Sequence, residues 1–208
     1  MSTYYNPVQI HYGVATLAKL AEIVQKKGGK KILMLTGARS LKASGHLDKI
    51  LKQLQCFEVF VQDSIPSNPD VEDILRLKEA TDHFPYDLIL AVGGGSVIDA
   101  AKALAAFRQM NFRNVNEVRA VIKDKIYADS PHICPVLAVP TTAGTGSEVT
   151  PWATIWDRQE EQKYSLEAPA LFPQSAIVDP VLTQNLSPVL TASSALDALG
   201  HALEASWS

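Results

Sequence analysis

The stretch YDLILAVGGGSVIDAAKALAA (86–106) determines the fold class of this chain. An apolar run of strand length, LILAV (88–92), leads directly into three glycines, and VIDAAKALAA (97–106) then has helical periodicity. A continuous apolar run is typical of a strand that is buried on both faces in a parallel sheet. The stretch therefore predicts a strand, a tight glycine turn and a helix that packs back on the sheet.

The same alternation of strand and helix extends to both sides of this stretch. The pattern predicts helices at 13–29, 47–55 and 71–80, the last capped by Asp70, and strands at 31–37, 57–61 and 135–140. PWATIWD (151–157) and QKYSLEA (162–168) predict a β-hairpin, and the more polar residues 108–131 predict a connection. The fold prediction is α/β, with a doubly wound, mostly parallel, Rossmann-like sheet and a β-hairpin.

The last stretch changes character. Ser187 and Pro188 form a helix-start signature, and SSALDALGHALEASWS then keeps helical periodicity to the last residue. We therefore predict a nucleotide-binding α/β domain over 1–186, and in 187–208 the first helix of a second, all-helical domain.

Composition excludes several classes of protein. The chain has 208 residues, of which 47% are hydrophobic and 20% charged, so a disordered chain is excluded. Nineteen Lys and Arg against 22 Asp and Glu give a net charge of −3, which offers no electrostatic footprint for nucleic acid or an anionic membrane. The sequence shows no signal peptide or bilayer-spanning run, and Cys56 and Cys134 make no disulfide framework. We expect a cytoplasmic protein.

Two Gly-rich loops follow predicted strands. Gly93-Gly94-Gly95-Ser96 precedes a helix, where free backbone N–H groups and the helix dipole favour a phosphate. Thr141-Thr142-Ala143-Gly144-Thr145-Gly146-Ser147-Glu148 offers further hydroxyl and amide donors. Each loop alone is also compatible with a plain turn. Two of them at the carboxyl ends of parallel strands favour a nucleotide site, although neither matches the G-x-G-x-x-G fingerprint.

Asp197 and His201 lie four residues apart on the last predicted helix and so share one face. A carboxylate and an imidazole are half of a plausible divalent metal site, but such a site usually needs further ligands. An ion pair on the protein surface or a capping Asp explains the same spacing.

Four segments in this order resemble the iron-containing (group III) alcohol dehydrogenases: GGGSVIDAAKALA (93–105), PTTAGTGSEVT (140–150), IVDPVL (177–182) and SALDALGHALEA (194–205). The resemblance spans essentially the whole chain. It implies a nucleotide-binding domain followed by a helical domain, and hydride transfer between a nicotinamide coenzyme, NAD or NADP, and a small alcohol or aldehyde. The ion that binds the substrate oxygen would be Fe²⁺, or Zn²⁺ as in some relatives.

The resemblance also implies roles for single residues. Gly94, Gly95 and Ser96 would hold the pyrophosphate, with Asp99 supporting the start of that helix. The remaining coenzyme contacts would come from Thr141, Thr142, Thr145, Lys163 near the ribose and Asn68 near the nicotinamide. Asp197 and His201 match two metal ligands, and the family's other two histidines would lie beyond residue 208. The resemblance therefore implies that the 208-residue chain alone is inactive.

One position departs from many relatives. Gly37, followed by Ala38 and Arg39, stands where they often have an Asp that would bond the 2′-hydroxyl of NAD. Glycine leaves room for a 2′-phosphate, and Arg39 could pair with it. We expect NADP to be accepted, and a preference for NADP is the stronger form of this expectation. The alternative for Arg39 is a solvated helix residue.

Other functions remain open at this stage. A dehydroquinate-synthase-like lyase or a glycerol-phosphate dehydrogenase shares the fold that the resemblance implies, and a non-catalytic nucleotide-binding domain is the alternative of another class. Val8, Ile10 and Tyr12 alternate in a possible edge strand, which favours a homodimer.

Overall fold

The computed structural model describes residues 5–130 and 132–207, so Ser208 of the predicted last helix lies outside the described residues. The strands are β1 (Gln9–Tyr12), β2 (Lys31–Thr36), β3 (Glu58–Gln62), β4 (Leu88–Gly93), β5 (Val136–Pro140), β6 (Trp152–Asp157), β7 (Gln162–Glu167) and β8 (Ser175–Val178). The α-helices are α1 (Leu20–Lys26), α2 (Ser40–Ala43), α3 (His46–Gln53), α4 (Val71–Thr81), α5 (Gly95–Ala106), α6 (Val115–Lys123) and α7 (Pro188–Trp207).

Six strands form one parallel sheet in the order β1-β8-β5-β4-β2-β3. β6 and β7 form a separate antiparallel hairpin. The predicted mostly parallel α/β sheet with a hairpin is therefore confirmed.

Helices cover both faces of the sheet. Leu33 and Leu35 of β2 belong to a core cluster that includes residues of α4, α5 and α6. Ile32 and Met34 of the same strand belong to a second cluster with residues of α1 and α3. Because side chains alternate across a strand, the two clusters lie on opposite faces, and β2 is buried from Ile32 to Thr36 as its continuous apolar sequence predicts.

The chain reverses direction across the sheet between β2 and β4. From β2 it moves outward to β3, then crosses back to β4 on the other side of β2 and continues to β5 and β8. In open α/β sheets, ligands bind outside the carboxyl ends of the strands at such a reversal. The fold therefore places the site at the segments that follow β2 and β4.

Residues 108–131, predicted as a connection of uncertain structure, contain the helix α6. Asn114 caps α6 there by accepting hydrogen bonds from the backbone of Asn116 and Glu117. Val118 and Ile122 are buried at helical spacing, so α6 has a narrow apolar stripe within an otherwise polar segment. The sequence did not reveal this stripe, because most residues of the segment are polar.

The prediction of one helix over 13–29 was also too long. A short 3₁₀ helix, Thr16–Lys19, precedes α1, and Val14, an apolar residue within the predicted helix, is 75% exposed. The Asp179 carboxylate explains the irregular start, because it accepts hydrogen bonds from the backbone N–H groups of Ala15 and Leu17. This tertiary contact replaces the first helical turn.

The final helix begins at Pro188, as the Ser-Pro signature predicts. Among its described residues Ser194 alone is buried, and the apolar side chains of Val189, Leu196, Leu199 and Trp207 are more than half exposed. Nothing tests the predicted domain boundary at 186/187, so it stays a prediction. No helix in the described ranges combines the length and apolar character that a membrane span requires.

Candidate functional site

Two cavities meet at the carboxyl edge of the sheet. The first, about 370 Å³, is lined by Gly37 after β2, by the β4–α5 turn and by the loop after β5. The second, about 690 Å³, extends from the same turn to the hairpin and to α7. Both are lined by Gly95, Ser96 and Thr145, so these residues stand at the junction of a continuous cleft.

Most of the residues singled out in the sequence line this cleft. Gly37, Gly94, Thr141 and Thr142 line the first cavity, and Asn68, Asp99, Lys163, Asp197 and His201 line the second, which we call the α7-side cavity. Arg39 is the exception: it is exposed immediately before α2 and lines neither cavity.

The amino end of α5 points into the junction of the cavities. Gly94 is its N-cap residue, and no side chain caps the helix. Backbone N–H groups and the positive end of the helix dipole are therefore available to an anion at this end. The geometry fits the predicted role of the turn as a phosphate cradle.

Close packing explains why this turn has glycines. A Cβ on Gly94 would lie 3.0 Å from the Thr142 hydroxyl, and one on Gly95 would lie 2.9 Å from the Thr145 methyl group. The two Gly-rich loops therefore touch each other across the cleft. A larger side chain at either position would crowd Thr142 or Thr145 of the segment 141–148, which we call the threonine loop.

The Ser96 hydroxyl has a fixed partner on one side. The backbone N–H of Asn68 donates to Ser96 Oγ over 3.0 Å. Asn68 itself has a left-handed backbone (φ 51°), and its carbonyl accepts a hydrogen bond from Arg158 over 3.0 Å. Because Ser96 Oγ acts as acceptor in this contact, its own proton can be donated to a ligand in the cleft.

The Asp99 carboxylate bonds to two segments outside its own helix, and its expected support of the start of α5 stays a prediction. Its two carboxylate oxygens accept hydrogen bonds from the Ser147 hydroxyl (2.6 Å) and the Thr154 N–H (3.1 Å). Asp99 thus joins α5 to the threonine loop and to the hairpin. Burial raises the pKa of Asp99, and the hydrogen bonds from Ser147 and Thr154 oppose that rise.

The hairpin forms the wall opposite α7. Trp152, Thr154 and Trp156 alternate along β6 and line the α7-side cavity. Lys163 on the paired strand places its ammonium 5.5 Å from the centre of the Trp156 ring, within range of a cation–π contact. The wall therefore combines aromatic surface with one positive charge.

Asp197 and His201 come together in the same cavity. His201 Nε2 lies 4.0 Å from Asp197 Oδ1, and both side chains are about half exposed. His201 Nδ1 lies 3.1 Å from the carbonyl oxygen of Gly144. Because a carbonyl oxygen can only accept, the neutral imidazole carries its proton on Nδ1 and presents the Nε2 lone pair beside Asp197.

This donor set fits a divalent cation. Metal-binding histidines usually donate their other ring N–H to a carbonyl or carboxylate, which is the arrangement at Gly144. Asp197 and His201 provide two ligands. Among the described residues no group of three or more His, Cys, Asp or Glu side chains is placed to hold a metal, so the pair is at most half of a complete site.

Gly144 brings the threonine loop against α7. Its φ is +105°, and a Cβ at this position would overlap the carbonyl oxygen of Ser194 on α7. Only glycine combines this backbone with such a close approach. The sequence showed Gly144 as one of several loop glycines and gave no sign of its contacts with Ser194 and His201, because both arise only in the folded chain.

Comparison with known proteins identifies the family. The sequence profile of the iron-containing alcohol dehydrogenases matches residues 7–180. The chain belongs to this family. Its members that are similar to the chain include oxidoreductases of small alcohols and aldehydes.

Two relatives illustrate this similarity. The NADPH-dependent butanol dehydrogenase of Clostridium saccharobutylicum is 35% identical over 208 residues, which cover 99% of this chain and 52% of that protein. The phosphonoacetaldehyde reductase of Streptomyces viridochromogenes is 40% identical over 144 residues, covering 69% of this chain and 36% of that protein. For the first, the match therefore spans about half of the relative's length.

Solved structures of the family have the same fold. The NADH-dependent butanol dehydrogenase A of Thermotoga maritima superposes with a TM-score of 0.87 at 29% identity, covering 98% of this chain and 50% of that one. The sulfoacetaldehyde reductase of Bifidobacterium kashiwanohense, solved with NAD⁺, superposes with a TM-score of 0.84 at 29% identity, covering 100% of this chain and 54% of that one.

Proposed function

We propose that this chain binds NAD or NADP and supplies two ligands to a divalent cation, as part of a metal-dependent oxidoreductase of small alcohols or aldehydes. The observation that carries the proposal is the junction of the two cavities at Gly95, Ser96 and Thr145. A dinucleotide whose phosphates lie at this junction extends into both cavities. Its two ends then reach Gly37 on one side and the Asp197–His201 pair on the other.

The chain's part in this chemistry is to bind and orient. The amino end of α5 and the Ser96 hydroxyl offer donors to the pyrophosphate, and Asp99 offers an acceptor in the α7-side cavity. Asp197 supplies negative charge and His201 an imidazole that Gly144 holds in one orientation. When bound at this pair, Fe²⁺ or Zn²⁺ would act as a Lewis acid towards the oxygen of the alcohol or aldehyde.

The surroundings of Gly37, at one end of the proposed coenzyme site, favour the binding of NADP. A Cβ at Gly37 would have no neighbour closer than the Ile65 carbonyl oxygen, at 3.9 Å, so this wall of the cavity has free space. Among the described residues no carboxylate lines that cavity to repel a 2′-phosphate. Arg39, two residues further on, would have to turn towards the cleft to pair with that phosphate. By their names, the relative from Clostridium saccharobutylicum is NADPH-dependent and the one from Thermotoga maritima is NADH-dependent, so the names favour neither coenzyme.

The substrate class follows from relatives that act on butanol, phosphonoacetaldehyde and sulfoacetaldehyde by name. We propose a small alcohol or aldehyde without choosing among them. With two of its metal ligands on the described chain, we expect the 208-residue chain alone to bind coenzyme but not to turn over substrate.

Coenzyme binding can be measured by tryptophan fluorescence, because Trp152 and Trp156 line the α7-side cavity. Titration with NADPH or NADH is expected to quench this emission by energy transfer to the reduced nicotinamide. Ser96→Ala is expected to weaken binding about tenfold, the usual effect of losing one hydrogen bond to a charged group. Ser206→Ala, at the exposed end of α7 and outside both cavities, is the matched control and should bind as the parent chain does.

A second variant separates the two halves of the proposal. Asp197→Asn should leave coenzyme affinity nearly unchanged and weaken the binding of a divalent cation. Absence of quenching by either coenzyme in the parent chain would contradict the proposed function and leave a nucleotide-free scaffold. Equal affinity of Ser96→Ala and Ser206→Ala would show that the coenzyme binds elsewhere.

A further inference from the structure

A lysine is completely buried beside the cleft. Lys102 lies in the middle of α5, and none of its surface is exposed to solvent. Its ammonium donates hydrogen bonds to the Ser147 hydroxyl (3.1 Å) and to the carbonyl oxygens of Thr150 (2.8 Å) and Trp152 (2.7 Å). An ammonium has three donors, so every one of them is used. A buried charge with neutral partners is costly unless another charge compensates it.

The compensating charge is the Asp99 carboxylate, which Ser147 connects to Lys102. The Ser147 hydroxyl accepts from Lys102 and donates to Asp99 Oδ1 over 2.6 Å. Ser147 is itself buried. The three side chains therefore form a relay of ammonium, hydroxyl and carboxylate in which each hydrogen bond polarises the next.

The relay ends at the wall of the α7-side cavity. Asp99 and Ser147 line that cavity, whereas Lys102 lies behind them. The other Asp99 oxygen accepts from the backbone of Thr154, so the carboxylate cannot rotate without losing a bond. Lys102 also holds the backbone on both sides of residue 151, where the threonine loop passes into the hairpin.

The charges agree with this arrangement. Burial lowers the pKa of Lys102 to about 8, and the carboxylates of Asp99 and Glu148 counteract that effect. Burial raises the pKa of Asp99, while the ammonium groups of Lys102 and Lys163 counteract it. Each member of the pair thus keeps the other charged in an environment that favours the neutral forms.

We propose that Lys102 is a positioning residue that acts through Ser147: it holds the Asp99 carboxylate, ionised and in one orientation, as an acceptor for the amide or hydroxyl groups of a ligand in the α7-side cavity. If the proposed function is right, that ligand is the nicotinamide half of the coenzyme. The relay itself does not depend on the identity of the ligand. Its first test therefore needs none.

The first experiment follows the Asp99 carboxyl carbon by NMR as the pH is changed. Lys102→Met removes the charge but keeps a long side chain, and Ser147→Ala removes only the bridge. We expect the acid dissociation constant of Asp99 to fall at least tenfold in Lys102→Met and by a smaller factor in Ser147→Ala. Lys78→Met is the control, because Lys78 is also buried but pairs with Asp82, the C-cap residue of α4. An unchanged Asp99 titration in both test variants would overturn the proposal.

The second experiment measures coenzyme affinity by the same tryptophan quenching. Ser147→Ala is expected to bind about tenfold more weakly, and Asp99→Asn at least as weakly, whereas Lys78→Met should match the parent chain.

The coenzyme affinity of the parent chain should also depend on pH. It should fall as the pH rises through about 8, where Lys102 loses its proton, and Ser147→Ala should lack most of this fall. If Lys102→Met does not fold, Ser147→Ala still tests the proposal.

The two experiments distinguish this proposal from the proposed function. A shifted Asp99 titration in a chain that binds no coenzyme would support the relay and contradict the nucleotide site. Coenzyme binding with an Asp99 titration that ignores Lys102 and Ser147 would support the nucleotide site and contradict the relay. A flat pH profile in the parent chain would also count against the relay.

Discussion

His201 Nδ1 lies 3.1 Å from the carbonyl oxygen of Gly144, so a residue of the threonine loop orients a proposed metal ligand on α7. The same loop carries Thr145, which stands at the junction of the two cavities. Coenzyme binding and metal binding therefore share one segment of chain. A displacement of this loop is expected to affect both.

Gly144→Ala should separate this loop from α7. The new methyl group would collide with the Ser194 carbonyl, and the left-handed backbone adds strain of about 1–2 kcal/mol. We expect at least a tenfold loss of affinity for Mn²⁺ or Co²⁺, measured by titration. Gly146→Ala is the control, because it has a similar backbone (φ +64°) in the same loop with no atom within 4 Å. Similar metal affinity in both variants would contradict the role of Gly144.

Gly37→Asp should change the choice of coenzyme. The cavity has space for the side chain, and its carboxylate would repel a 2′-phosphate. We expect the ratio of NADPH to NADH affinity to fall at least tenfold, measured by tryptophan quenching. Gly37→Asn has nearly the same shape without the charge and should change the ratio much less. A ratio unaffected by Asp would show that the 2′-position lies elsewhere.

Asp157→Asn should destabilise the chain. Arg119 makes two hydrogen bonds to the buried Asp157 carboxylate, at 2.5 and 3.0 Å, and so ties α6 to the hairpin. We expect the free energy of unfolding to fall by about 2–3 kcal/mol, below the usual cost of breaking a buried pair because Glu160 still lies 3.6 Å from Arg119. Urea unfolding measures this. Glu22→Gln, in an exposed pair with Lys26, should have no measurable effect.

The same ion pair gives a pH dependence. The Arg119 guanidinium holds the pKa of Asp157 below its ordinary value. The native state therefore binds this proton more weakly than the unfolded state, and the stabilisation is present above about pH 4. It is expected to be lost as the pH falls through the lowered native pKa. The free energy of unfolding of Asp157→Asn should therefore fall less at acid pH than that of the parent chain. An identical fall in the parent chain and the variant would contradict this prediction.

β1 should pair two copies of the chain. It is an edge strand of the main sheet, with Ile10 52% and Tyr12 76% exposed. An exposed edge offers unpaired backbone groups to a second copy, so light scattering is expected to give the mass of a dimer. Ile10→Lys should shift it to a monomer. Ile126→Lys, equally exposed but far along the chain, should leave the mass unchanged. A monomeric parent chain would contradict the prediction.

Much of the fold could be predicted because its signals are local. The β4–glycine–α5 unit follows from one apolar run, three glycines and one helical period, and Asp70 caps α4 as expected. α6 was missed because its apolar stripe is narrow and the surrounding residues are polar. The start of α1 was missed because Asp179, more than 160 residues away, determines it.

The motifs were enough to single out residues that the fold brings together. The residues of the two Gly-rich loops and of α7 line the cleft, and their roles in binding stay predictions. The contacts between those segments were not predictable. Lys102 stands in an alanine-rich helix with no visible partner, and its acceptors lie 45 to 50 residues away. Such relations depend on tertiary structure, and one sequence carries no trace of them.

We expect a bound dinucleotide to direct its nicotinamide towards Asp197 and His201. Paramagnetic Mn²⁺, added to the chain with NADP⁺, tests it by broadening the proton resonances of the coenzyme according to their distance from the ion. We predict that the nicotinamide protons broaden much more than the adenine protons, and that His201→Gln abolishes the difference while Glu204→Gln keeps it. Equal broadening at both ends, or stronger broadening of the adenine, would contradict the account.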